Sequence, residues 1–195
     1  MNLPLFLGVF GLIVSVTALV RSVKHPPPME SAPLLSTGAP VLLLGDSIGV
    51  GIDAPLRALL LPAGHELISS VESGRSIRAQ NGHGLPAVPE GTRVALLSLG
   101  SNDTNNPDAE ESDLRALAAK LEKLEIRPYW ILPPSFAKGT AAQKRVINLF
   151  DRVGIPMLPV TKLPSVDSDP LGVHPTPTGY KEFAADIAAT LIGAP

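Results

Sequence analysis

Val41-Leu42-Leu43-Leu44-Gly45-Asp46-Ser47-Ile48-Gly49-Val50-Gly51 runs from an unbroken apolar stretch straight into a glycine-rich turn carrying one aspartate and one serine. An apolar run with no alternation suits a strand covered on both faces, as in a parallel sheet. The serine just past its carboxyl end then stands at a strand-to-helix turn, where backbone N–H groups point outward. Val94 to Leu99, Tyr129 to Leu132 and Ile155 to Val160 are runs of the same kind, and His65 to Val71 is a weaker fifth. Helical patterns lie between them. The clearest covers 107–124: Asn106 is placed to cap it, Pro107 suits the first turn, acids follow, and Lys120 and Lys123 close it. Its buried stripe is expected at Leu114, Leu117, Ala118, Leu121 and Leu124. A last helix is capped by Thr176, opened by Pro177, lined by Tyr180, Phe183, Ala184, Ile187, Ala188 and Leu191, and stopped by Gly193. Strands alternating with helices predict an α/β fold, a three-layer α/β/α sandwich whose ligands bind outside the carboxyl ends of the strands.

Composition narrows the chemistry. The chain has 195 residues, 45 % apolar and 17 % charged, with no cysteine and a formal net charge of −2. Disulfides, thiolate metal sites and cysteine nucleophiles are excluded. Sixteen basic against eighteen acidic residues leave no electrostatic footprint for nucleic acid. Leu3 to Val20 carry no charge, and at about 1.5 Å per residue they reach about 27 Å, the thickness of a bilayer core. Residues 1–21 therefore read as an N-terminal apolar helix that anchors the chain in a membrane, with a cleaved secretory signal and a buried core helix as the alternatives. Arg21 and Lys24 favour a cytoplasmic domain, but two charges leave the side of the membrane open. Residues 22–38, with Pro26, Pro27 and Pro28, read as a proline-rich tether, and 39–195 as the folded domain.

Four loops fall where such a sheet would gather a site: Gly45-Asp46-Ser47, Ser73-Gly74-Arg75-Ser76, Gly100-Ser101-Asn102-Asp103, and His174-Pro175-Thr176 with Gly179-Tyr180. Ser47 is a poor nucleophile until a base takes its proton, and a histidine such as His174 titrates in the range to do so. Attack on an ester carbonyl develops an oxyanion, which needs preorganised donors. In these four blocks the chain resembles the SGNH hydrolases, the esterase family also called GDSL-like, over about residues 39–195. The resemblance implies a flavodoxin-like parallel sheet of order 2-1-3-4-5 and ester hydrolysis without a cofactor. It also implies an oxyanion hole made by the N–H groups of Ser47 and Gly74 and the side-chain amide of Asn102. Small esters or glycans bearing acetyl or short acyl groups are the expected substrates; a non-catalytic binding or scaffolding protein on the same fold is the alternative.

The chain departs from the family at the third catalytic position. An aspartate usually stands three residues before the histidine, where this chain has Leu171; Asp169 is five residues before and Asp167 seven. Either the loop is two residues longer and Asp169 still accepts the histidine N–H, or a backbone carbonyl or water orients the ring in a dyad. Pro170 and Gly172, which let a short loop double back, point to Asp169.

Other readings are weaker. Gly45, Gly49 and Gly51 mimic the nucleotide loop of short-chain dehydrogenases, but neither Tyr129 nor Tyr180 is followed four residues later by lysine. No Gly-Lys-Ser or Gly-Lys-Thr follows the first strand, so a P-loop is absent. Asp167 and Asp169 as a cation pair, and His83 as a site residue, are less expected than solvated side chains. Asp103 and Asp46 are expected to hold their loops by accepting backbone N–H groups, and Arg75 to pair at the surface rather than bind an anionic substrate.

Overall fold

The structure, a computed structural model, describes residues 33–193. The expected apolar segment 1–21 and most of the tether lie outside the described residues. Among the described residues no helix is long and apolar enough to cross a membrane.

Four parallel strands form one sheet: β1 (Val41–Gly45), β2 (Leu67–Val71), β3 (Val94–Ser98) and β4 (Arg127–Trp130), in the order β2-β1-β3-β4. Val41 stands opposite both Leu67 and Val94, and Val94 opposite Arg127, so the strands start level and their carboxyl ends share one edge. The chain passes from β1 to β2 on one side and returns to β3 on the other. The strand order therefore reverses beside β1, the point where such sheets place their ligands.

Among the described residues five α-helices cover the sheet: α1 (Ser47–Leu60), α2 (Ile77–His83), α3 (Glu111–Glu122), α4 (Ala141–Val153) and α5 (Pro177–Ile192). Alternate strand residues divide the core. Val41, Leu43 and Leu96 pack with Ile48, Ile52, Leu56 and Leu60 of α1 and Phe183, Ile187 and Leu191 of α5. Leu42, Leu44 and Leu97 pack on the opposite face with Ile77 of α2, Leu114 and Leu117 of α3, and Leu149 and Phe150 of α4. Trp130 stacks on Phe150 with ring centroids 4.1 Å apart. The three-layer α/β/α sandwich is thus formed, with the central strands β1 and β3 buried throughout, as their unalternating sequences require.

Several details differ from the sequence reading. The fifth strand, expected at Ile155 to Val160, is reduced to one parallel bridge between Trp130 and Met157. Trp130 N–H donates to Pro156 O and Leu158 N–H to Trp130 O, both at 2.8 Å, but the ladder cannot lengthen. Pro128 has no N–H to offer on that outer edge, and beyond Pro159 the Val160 N–H turns back to Leu158 O at 2.9 Å. The helix expected over 107–124 opens as a 3₁₀ turn, Pro107–Glu110, with no side-chain cap from Asn106, and becomes α-helical only at Glu111. Leu124 falls past its end and is exposed. Part of the tether belongs to the fold: Leu35 is buried, and its N–H donates to Leu191 O at 3.0 Å.

Candidate active site

Ser47 is the first residue of α1, at the carboxyl end of the central strand β1. Asp46 caps the helix by accepting the Ile48 N–H at 3.0 Å. His174 arrives from the other end of the chain, two residues before Thr176, whose hydroxyl accepts the Gly179 N–H and starts α5. The two meet: His174 Nε2 lies 2.9 Å from Ser47 Oγ.

Asp169, not Asp167, reaches the far side of the ring, with Oδ2 3.2 Å from His174 Nδ1. The loop between them doubles back on that carboxylate, which accepts the N–H groups of His174 at 2.7 Å, Val173 at 2.8 Å and Leu171 at 3.3 Å. Gly172, at φ +63, makes the reversal, and its N–H donates to Asp169 O at 2.8 Å. The two additional residues are absorbed as a bulge whose tip, Leu171, is 78 % exposed. The His174 backbone N–H, then that of Val173, holds the Asp169 carboxyl well below its ordinary range, at about 2. An ionised carboxylate at Nδ1 keeps the ring proton there and leaves the Nε2 lone pair facing the Ser47 hydroxyl, as a general base requires. Asp167 is exposed and bonds to Ser165 instead, at 2.9 Å.

Of the three expected oxyanion donors, Asn102 is bonded to the neighbours of the other two. Asn102 Nδ2 donates to Arg75 O at 3.1 Å, beside Gly74, and approaches Asp46 Oδ2 at 3.4 Å, beside Ser47. Gly74 takes φ +81 in the turn closed by Arg75 N–H to Glu72 O at 3.2 Å. No atom would obstruct a Cβ there, so the backbone conformation is what demands glycine.

Residues given minor roles by sequence tie these loops together. Asp46 is fully buried and also accepts Ser98 Oγ, at 3.3 Å, and the Ser101 hydroxyl, linking the first and third blocks. Burial pushes its pKa up against those hydrogen bonds. Asp103 accepts the Ile77 N–H at 3.2 Å, and its other carboxylate oxygen is buried with no partner among the described residues. Burial raises it from 3.8 to about 6, with the charges of Glu110 and Asp46 adding to the effect. Arg75 departs from expectation in part: it pairs with the exposed Glu72, but its own side chain is buried, at 7 % exposure for the residue. Its motif position and charge gave no sign of burial. His65 is buried with Nδ1 3.0 Å from Ala39 O, and His83 is exposed at the end of α2.

The glycines that mimic a nucleotide loop have packing partners in the protein. A Cβ on Gly45 would strike the Ser98 carbonyl, one on Gly49 would lie 2.8 Å from Val71 Cγ1, and one on Gly51 would enter the Tyr180 ring. A cavity of about 820 Å³ lies between the 161–167 segment and α5 and is lined by none of the motif residues. Mutual geometry, not volume, marks the site at the strand ends. Among the described residues no group of three or more acidic or histidine side chains could hold a metal ion.

Solved structures share this architecture. The esterase EstA from Pseudoalteromonas sp., inhibited by monoethylphosphonate, superposes with a TM-score of 0.60 at 14 % identity, covering 77 % of this chain and 95 % of its own. A member of the lipolytic protein G-D-S-L family from Veillonella parvula gives 0.54 at 16 % identity, covering 76 % and 95 %. The acetyl xylan esterase AlAXEase gives 0.53 at 17 % identity, covering 76 % and 97 %. No protein-family model and no curated protein sequence matches the chain. The fold of this chain is the fold of the GDSL esterases.

Proposed function

We propose that this chain, with the fold of the GDSL esterases, is a serine hydrolase that cleaves carboxylic esters through an acyl-enzyme. One observation carries the reading: Ser47 Oγ, His174 Nε2, His174 Nδ1 and Asp169 Oδ2 form a continuous relay with separations of 2.9 and 3.2 Å. His174 takes the Ser47 proton as the oxygen attacks the ester carbonyl, and the Asp169 carboxylate stabilises the imidazolium that forms. The new oxyanion lies against the N–H groups of Ser47 and Gly74 and the amide of Asn102. Collapse expels the alcohol, which takes the proton from His174; water then repeats the sequence on the acyl-enzyme.

Acetyl or short acyl esters of glycans or small molecules are the proposed substrates, and the likeness to an acetyl xylan esterase supports that choice. Hydrolysis of p-nitrophenyl acetate by the wild type and by Ser47→Ala tests the reading. Turnover lost in a variant with an unchanged melting curve is expected, because a turn hydroxyl contributes little to packing. Equal rates in the two proteins would return the chain to the class of binding proteins.

The apolar run Leu3 to Val20 is proposed to anchor the enzyme in a membrane. Full-length protein should stay with the membrane fraction through a carbonate wash. Recovery as soluble protein with Met1 intact would contradict the anchor, and recovery without the first twenty or so residues would identify a cleaved signal.

A further inference from the structure

Arg75 lies inside the loop that supplies Gly74, and both terminal nitrogens of its guanidinium are bonded there. Nη1 donates to Ser70 O at 3.0 Å, to Ser70 Oγ at 3.1 Å and to Gln80 Oε1 at 2.9 Å. Nη2 donates to Glu72 Oε2 at 2.8 Å. These partners belong to three separate pieces of chain: the end of β2, the turn itself and α2. Gln80 is completely buried, and its Nε2 is held by Gly84 O at 3.1 Å, so its carbonyl oxygen must face the guanidinium. Arg75's own backbone carbonyl accepts Asn102 Nδ2 at 3.1 Å. Its side chain thus braces the turn carrying one proposed oxyanion donor, and its main chain orients another.

We propose that Arg75 is the positioning residue of the oxyanion hole, fixing the Gly74 N–H through its guanidinium and the Asn102 amide through its carbonyl. The inference rests on the esterase reading above. It assigns Arg75 no contact with substrate, since the side chain is only 6 % exposed and pairs with protein groups. Only a planar fork of donors can serve Ser70, Gln80 and Glu72 together; an ammonium reaches part of that set. Donors placed before the reaction contribute most when charge develops, so loosening them should lower kcat and leave substrate binding almost untouched.

The experiment compares kcat and KM for p-nitrophenyl acetate in wild type, Arg75→Met and Arg75→Lys, with Ser47→Ala as the inactive reference. Loss of one oxyanion donor costs about 10²- to 10³-fold in kcat. Misplacing donors is expected to cost about 10- to 100-fold in Arg75→Met, with KM within about twofold and part of the loss recovered in Arg75→Lys. If Arg75→Met does not fold, Gln80→Met, which removes a single acceptor, should show the same kcat-only loss on a smaller scale. A folded Arg75→Met with wild-type kcat overturns the inference while leaving the esterase reading intact. A raised KM with kcat unchanged also overturns it, making Arg75 a substrate-binding residue. A wild type without turnover defeats both.

Discussion

Asp103 carries the clearest pH signature of any side chain near the site. Unfolded, its carboxyl titrates near its ordinary 3.8; folded, burial first and then the Glu110 and Asp46 charges lift it to about 6. Below 3.8 both states hold the proton and nothing is lost. Between 3.8 and about 6 the folded state keeps a proton that the unfolded state has released, so stability falls as pH rises through that window, and the full cost persists above it. That gap corresponds to about 3 kcal/mol. Asp103→Asn keeps an oxygen for the Ile77 N–H and removes the unpaired charge, so its melting temperature should exceed the wild type's at pH 8 and the difference should vanish near pH 4. A variant less stable at both pH values would show that the orphan oxygen has a partner. That Asp103 accepts a backbone N–H was legible from its place after a strand; that its second oxygen is stranded was not, because burial is set by α2 and its neighbours, far away in the chain.

The loop between Asp169 and His174 is where the chain departs from the motif it resembles, and its geometry explains how Asp169 still reaches the ring. Three backbone N–H groups converge on the Asp169 carboxylate, and Gly172 supplies the left-handed step that brings them there. Asp169 therefore stays ionised down to about pH 2, so activity lost at milder acidity has another cause. Loss of the carboxylate in a serine protease triad costs about 10⁴ in kcat, and Asp169→Asn should lose at least about 10²-fold here, because this partner is partly solvated. Asp167→Asn should stay near wild type; two fully active variants would make the site a Ser–His dyad. Pro170 and Gly172 made this loop readable from composition. The shortened fifth strand was less so: Ile155 to Val160 has the apolar content of a buried strand, but Pro128, Pro156 and Pro159 decide how many ladder bonds form, and their effect depends on which edge each faces. Asn106 and Leu124 mark the usual difficulty at helix ends, where a 3₁₀ turn shifted the start and the last apolar residue fell outside.

Over the whole molecule, level strand starts deliver three of the four motif loops to one edge, and α5 returns the histidine to it. That assembly was legible because the strands are short, apolar and evenly punctuated by turn residues. The start of the fold was not, since Leu34 and Leu35 are a short apolar pair in a proline-rich stretch, and only their packing on the core, with the Leu35 N–H on Leu191 O, distinguishes them. Under the proposed mechanism this assembly makes Ser47 the nucleophile. An ethyl fluorophosphonate tests it directly, read by intact mass and peptide mapping. One adduct per chain is expected, located on Ser47, abolished in Ser47→Ala and slowed by orders of magnitude in His174→Ala. An unmodified wild-type chain, or an adduct on another residue with Ser47 free, would contradict it.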